Sequence, residues 1–268
     1  MRDLPPGWAT DLAVQRLTGA VVDDRGDHLV LRSPAQPSYH WGNCVLVLDE
    51  GAADDADRWA GVFAREFPQA RWVAIGLPRM PDDLAAWTAH GLEVTQDDSL
   101  TTRTVPRLTD APAGYDVRFL TSDEDWEQHV RREVAENLAE GQFEPVGHER
   151  FVRDRLTTRR ALCDRDLAAW VGAFHEGTLV ADLGIVLCER PGGRDARYQA
   201  VGTDAAHRRR GLAGHLLGVA ALWAAARGAT RWVIVTETTN PAGRVYRGVG
   251  FAPDAGAVQA YRRPPLDA

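Results

Sequence analysis

The stretch "VGTDAAHRRRGLAGHLLG", residues 201–218, decides how the rest of the chain is read. A strand-like run ends near Thr203. Three consecutive arginines, Arg208, Arg209 and Arg210, follow it and stop at Gly211. From there Leu212, Leu216, Val219 and Trp223 fall on one helical stripe that closes at Gly228. Positive charge beside the positive end of a helix dipole is unfavourable unless an anion offsets it. A helix N-terminus also leaves backbone N–H groups unpaired, and these bind phosphate. Gly211 lets the backbone approach a ligand closely, and small Ala213 and Gly214 keep the next turn clear. The spacing Arg208-x-x-Gly211-x-Ala213 after a strand fits a pyrophosphate cradle; the alternative is a solvated helix end with exposed arginines.

Composition bounds the function classes. The chain has 268 residues, 44% hydrophobic and 26% charged, which predicts a globular protein of two domains. A net charge of −7 argues against a nucleic-acid surface. All 31 basic residues are arginine, so lysine Schiff-base chemistry and a Walker-type phosphate loop are excluded. Cys44, Cys163 and Cys188 are scattered and not at metal-ligand spacing, which predicts reduced thiols and no metal site. The start "MRDLPPGWATDL" lacks a signal-peptide pattern, and no run of about 18 apolar residues exists. The expectation is a soluble, cytoplasmic protein with no membrane or nucleic-acid partner.

The segment "TTRTVPRLTDAPAGYD", residues 101–116, collects Pro106, Pro112 and Gly114 and is the linker candidate. It places a domain boundary between residues 106 and 107, giving domains 1–106 and 107–268. Downstream the pattern predicts strand, helix, helix, three strands, helix, strand, helix, strand: an α/β chain with a mixed sheet. "NPAGRVYRG" opens its helix with Asn240 as N-cap and a proline at the first helical position. The two halves also match each other. "RWVAIGLPRMPDDLAAWTAHGLEV" from Arg71 and "RWVIVTETTNPAGRVYRGVGFAP" from Arg231 share a strand opening, a helix-opening proline, and an aromatic four residues before a Gly-apolar pair. Their common order predicts two copies of one module.

"VGTDAAHRRRGLAGHLL" together with "ETTNPAGRVYRGVGF" resembles the acyl-CoA-binding core of the GNAT superfamily of N-acyltransferases, over roughly Tyr115 to Arg263. The resemblance implies a tandem GNAT-like fold with acetyl-CoA as cosubstrate. Its pantetheine arm would pair with backbone at Val201, Gly202 and Thr203. The pyrophosphate would sit on Arg208, Arg209, Arg210, Gly211, Leu212, Ala213 and Gly214, with Asn240 near the pantetheine or thioester. The implied reaction is direct attack of an amine on the thioester carbonyl, with Tyr246 as general acid toward the leaving thiolate. Glu237 is the candidate general base; Asp204, Glu133 and Glu189 compete with it, and a water chain is the alternative. The acceptor is a small-molecule or peptide amine, and a homodimer is compatible with the sequence. A non-catalytic acyl-CoA-binding sensor, in which Tyr246 only packs, is the rival reading.

The first copy departs from the second where the chemistry lies. "EGAADDADR" stands in place of the arginine loop, and Asp54, Asp55 and Asp57 suit an empty helix N-terminus rather than an anion. Trp87 replaces Tyr246, and an indole N–H is no general acid. The first domain is therefore expected to be a degenerate, non-catalytic copy. Its "PSYHWGN" cluster, residues 37–43, either lines a binding site or anchors a loop in the core.

Overall fold

The fold rests on a computed structural model that describes residues 4–264. Packing divides the chain into two units, residues 1–98 with 255–268, and residues 99–254.

The first unit opens with helix α1 (Pro6–Leu17) and the hairpin β1 (Val21–Asp24) and β2 (His28–Arg32). Strand β3 (Cys44–Val47) runs through helix α2 (Ala56–Glu66) into β4 (Val73–Leu77), with β3 and β4 parallel. The short helix α3 (Leu84–Ala89) and strand β5 (Glu93–Thr102) follow. The sheet order here is β1-β2-β3-β4-β12-β5, where β12 (Ala257–Arg262) is the last strand of the chain and is antiparallel to both of its neighbours. Every residue of β3 and β4 is buried, the pattern of a parallel pair covered on both faces.

The second unit begins with β6 (Asp116–Phe119) and two long helices, α4 (Asp123–Glu140) and α5 (Pro145–Asp164). Ser122 and Asp125 form a capping box at the start of α4, and Gly141 ends that helix in the left-handed conformation at φ 64°. Strands β7 (Ala168–His175), β8 (Thr178–Arg190) and β9 (Gly193–Thr203) form an antiparallel meander. Helix α6 (Leu212–Ala225) returns the chain to β10 (Ala229–Glu237), parallel to β9, and α7 (Ala242–Gly248) leads to the two-residue strand β11 (Ala252–Pro253). The side-chain alternation of a strand sorts the two faces. Ala169, Val171 and Ala173 of β7, with Ala181, Leu183 and Ile185 of β8, join the cluster around α6. Trp170 and Asp182 point the other way, to Trp126 and His129 of α4.

From β6 to α7 the strand and helix order is the predicted one, and β6 lies within the predicted Tyr115–Leu120. Two placements differ from the sequence expectation. The closing strand, expected within the second domain, pairs in the first unit, while Leu100 and Thr101 of β5 pair with β11 in the second. The linker candidate is also packed. Leu108 and Arg107 lie so close to Gly218 of α6 that a Cβ there would sit 2.6 Å from the Leu108 Cα. His215 donates from Nδ1 to the Thr109 carbonyl at 2.7 Å, and the Arg107 N–H donates to the Val249 carbonyl. Proline-rich composition thus marks a strap over α6, held by backbone polar groups that find partners.

Candidate active site

Strands β9 and β10 pair in parallel from Ala229 opposite Arg194 to Val233 opposite Arg197, and their register ends there. Six further residues of β9, Tyr198–Thr203, continue past that point. On its other edge β9 stays paired to β8, with Gly202 opposite Asp182 and Thr203 opposite Ala181. Between Gly202 and Gln199 that ladder is broken by a bulge, two residues of β9 (Ala200 and Val201) facing Leu183 alone. Ala200 takes φ 48°, a left-handed conformation that costs an ordinary residue about 1–2 kcal/mol. A splayed parallel pair with a strained bulge beside it is a place where backbone donors and acceptors face something other than a strand.

The arginine loop follows at once. A short 3-10 turn, Ala205–His207, leads to Arg209 at φ 61° and Gly211 at φ 82°. These left-handed residues curl the backbone ahead of α6, as in the concave N–H arrangements that bind anions. Gly211 is the N-cap of α6 and offers no side-chain cap, and the first turn carries no acidic residue. A Cβ on Gly211 would meet only Pro112 Cγ at 4.0 Å, so the space before the helix is open. Arg208, Arg209 and Arg210 are exposed; Arg208 Nε donates to the Thr203 carbonyl at 3.0 Å, which ties its side chain to the end of β9. Leu212 is buried in the core, so at this position only its N–H is available to a ligand. Ala213 and Gly214 complete a first turn free of bulk.

Tyr246 lies on α7 and is 4% exposed within the cluster that contains α6 residues and Phe251. Its hydroxyl bonds to no described residue, and burial pushes its pKa up to about 12. Asn240 is exposed and its Oδ1 accepts the Ala242 N–H at 2.9 Å, which leaves its amide N–H groups for a ligand. Glu237 stands exposed at the end of β10, its carbonyl accepting the Asn240 N–H. The helix N-terminus and the three arginines are one continuous loop, whereas no hydrogen bond joins Glu237 to Tyr246.

Sequence reasoning missed a buried ionic cluster under the end of β9. Asp182 is fully buried and accepts Arg132 Nε at 2.7 Å on one oxygen and His129 Nδ1 on the other. Arg159 donates to His129 Nε2 at 2.6 Å and to Glu133 at 2.9 Å. An arginine only donates, so Nε2 is the acceptor and Nδ1 carries the histidine proton. Burial would raise the Asp182 pKa, but Arg132 and His129 outweigh it and hold the carboxyl below its ordinary value. The Arg132 guanidinium lies flat against Gly202, where a Cβ would stand 2.7 Å from its Cζ. Gly202 is thus a glycine because Arg132 fills the space. One signal was legible: Asp182 is a lone charge inside the apolar run "TLVADLGIVL". Glu133, a candidate base, is tied to Arg159 in this cluster, and Glu189 pairs with Arg194 on the surface.

In the first unit the matching helix start is filled by its own carboxylates. Asp55 caps α2 through the Arg58 N–H at 3.1 Å, and Asp54 takes Arg79 at 2.5 Å together with the Asp82 N–H. Trp87 is fully buried. The 37–43 cluster packs: His40 lies 4.8 Å from the Trp72 ring and accepts from or donates to Tyr261, and burial lowers its pKa to about 4. Among the described residues no group of three or more His, Cys, Asp or Glu side chains is placed to hold a metal ion, and no helix is long and apolar enough to cross a membrane.

Residues 132–251 match the acetyltransferase (GNAT) family profile. No curated protein sequence matches the chain. Among solved structures, a GCN5-related N-acetyltransferase from Kribbella flavida aligns at TM-score 0.64 and 17% identity, covering 96% of this chain and 94% of its own. A GCN5-related N-acetyltransferase from Sphaerobacter thermophilus aligns at TM-score 0.58 and 18% identity, over 98% and 94%. A tandem GNAT protein from the clavulanic acid biosynthesis pathway aligns at TM-score 0.54 and 16% identity, over 96% and 94%. At these identities the likeness is one of fold, and it extends over both units.

Proposed function

We propose that this chain, a GNAT-superfamily protein by the match of residues 132–251, is an N-acetyltransferase that moves an acetyl group from acetyl-CoA to a primary amine. The observation that carries the proposal is the junction of two features. The β9–β10 register ends at Arg197 and Val233, and β9 then feeds an uncapped, acid-free helix N-terminus ringed by Arg208, Arg209 and Arg210. A long ligand with a peptide-like arm and a pyrophosphate fits that junction. The arm pairs with backbone at Val201, Gly202 and Thr203; the pyrophosphate takes the N–H groups of Leu212, Ala213 and Gly214 and the arginines. Asn240 contributes its free amide N–H groups.

The bulge at Ala200–Val201 supplies a backbone N–H outside the β8 ladder, and we assign it the developing oxyanion. The amine attacks the thioester carbonyl, the C–N bond forms, and the C–S bond breaks as Tyr246 gives its proton to the sulfur. Its pKa of about 12 keeps Tyr246 protonated throughout the working range. Before attack, Glu237, exposed at the end of β10, takes one proton from the ammonium directly or through water, and as the amide forms its second N–H proton passes to the Tyr246 oxygen, restoring the phenol. The first unit, with its helix start filled by Asp54 and Asp55, is assigned no catalysis. Three free cysteines, with Cys44 and Cys163 pushed up to about 12 by burial, fit a reducing cytoplasm.

A second reading has support in one observation. Tyr246 is so well packed that it serves equally as core, in which case the chain is an acyl-CoA sensor. Thiol release from acetyl-CoA over a panel of amines separates the two. Turnover above the uncatalysed rate supports transfer; saturable acetyl-CoA binding with no release for any amine supports the sensor.

A further inference from the structure

A cavity of about 570 Å³ opens between α4 and the ends of β8 and β9, and it shares Thr203, Asp204 and Arg208 with the arginine loop. Its volume is that of a small-molecule site. The charges on its wall do not balance. Arg132 faces buried Asp182 at 2.7 Å, Glu136 at 3.3 Å and Asp204 at 4.0 Å, and Arg131 pairs with Glu124 at 2.5 Å. The one charge of Arg132 thus answers three carboxylates, and Glu140 and Arg208 add one charge of each sign, so negative charge remains in excess. Burial raises the pKa of Glu136 and Asp204 despite the nearby Arg132, as expected of carboxylates that lack a sufficient counter-charge.

A second, independent feature points to the opposite charge. Arg132 is only 5% exposed, yet it lines the cavity. Its Nε is taken by Asp182 and its Nη1 by Glu136 at 3.3 Å, whereas its Nη2 donates to no described residue. A buried guanidinium with an unused N–H is a strong donor for a carboxylate. The cavity therefore presents one anion-binding donor beside an excess of negative charge.

We propose that this cavity binds a free basic amino acid, with its carboxylate on Arg132 Nη2 and its two ammonium groups on Glu136, Asp204 and Glu140. A ligand with two positive charges and one negative charge complements the wall group by group. The site stands on its own geometry and does not require that the chain transfer acetyl groups.

Isothermal calorimetry of the full chain, with and without desulfo-CoA, tests this with three probes. L-lysine carries all three charged groups, cadaverine lacks the carboxylate, and 6-aminohexanoate lacks the α-ammonium. L-lysine is expected to bind saturably, and each truncated probe at least about tenfold more weakly, the cost of one charge-assisted hydrogen bond. Glu136→Gln, Asp204→Asn and Arg132→Lys should each weaken L-lysine by a similar factor. Glu136 and Asp204 are partly exposed, so their variants decide the question if Arg132→Lys does not fold. No saturable L-lysine binding in either condition, equal affinity for cadaverine, or unchanged affinity in both carboxylate variants overturns the proposal. The desulfo-CoA titration is read separately: a chain that binds L-lysine but not desulfo-CoA keeps this site and loses the acyltransferase reading.

Discussion

Replacing Tyr246 by phenylalanine removes one hydroxyl and leaves the ring in its packing. The hydroxyl has no partner among the described residues, so at neutral pH the variant should fold with a stability change within about 0.5 kcal/mol. Its effect on turnover follows from the acidity. With Tyr246 pushed up to about 12 and an ordinary thiol near about 8.5, full proton transfer to a free thiolate is uphill by about 3.5 units, or about 5 kcal/mol. The tyrosine therefore donates in step with C–S cleavage, and its contribution belongs at the lower end of general acids, about a hundredfold. The expectation is a kcat about a hundredfold lower with the KM for acetyl-CoA nearly unchanged. The same residue has an alkaline signature. Below pH 10 both folded and unfolded tyrosine are protonated and the full stability is present. Between pH 10 and about 12 the unfolded chain ionises first, so the folded state loses up to about 2.7 kcal/mol from this residue, a loss Tyr246→Phe avoids. Steady-state thiol release and urea unfolding at several pH values measure both effects. A kcat within twofold of the parent refutes the acid role, and a variant that gains no relative stability above pH 10 refutes the burial argument beneath it.

Other consequences concern the framework under the site. Asp182→Ala strands Arg132 and His129 in the core and should cost about 3–5 kcal/mol by urea unfolding. Because the Asp182 carboxyl is held below its ordinary value, its contribution is present at neutral pH and is lost as pH falls through that lowered value; Asp182→Asn should flatten this acid limb. Gly202→Ala places a methyl group against the Arg132 guanidinium, and an overpacking cost of about 1–3 kcal/mol is expected. Gly218→Ala drives a Cβ into the backbone of Leu108, so the strap at residues 105–109 should become a site of rapid proteolysis at Arg107, where the parent resists.

Local patterns carried most of what the sequence disclosed. The helical stripe from Leu212 and the glycine ahead of it are short-range signals and lie where the pattern put them, whereas the N-cap of α7 is Pro241 rather than Asn240, which stands one residue ahead of it and accepts the Ala242 N–H. The acid-rich start of α2 was legible for the same reason, since Asp55 serves a backbone group three residues away. Pairings between distant segments were hidden. Nothing in "AVQAYR" says that it lies between β4 and β5 of the first unit, because strand pairing is set by sheet geometry rather than by neighbours in sequence. The ionic cluster was hidden in the same way. His129 and Arg132 share one turn-spacing on α4, but their partner Asp182 stands fifty residues further on, visible only as a charge in an apolar strand. The strap was misread because proline and polar content describe a loop without saying whether a helix lies beneath it.

In the proposed acyltransferase the arginine loop and the N-terminus of α6 hold the pyrophosphate of an acyl-CoA. Thermal unfolding of the full chain with desulfo-CoA, alongside the variant with Arg208, Arg209 and Arg210 all changed to alanine, tests it most directly. At a hundredfold excess over Kd a ligand of the folded state adds about 2.7 kcal/mol. The expected result is a clear rise in Tm for the parent and little or none for the variant at the same ligand concentration. An equal rise in both, or none in the parent at millimolar desulfo-CoA, would contradict it.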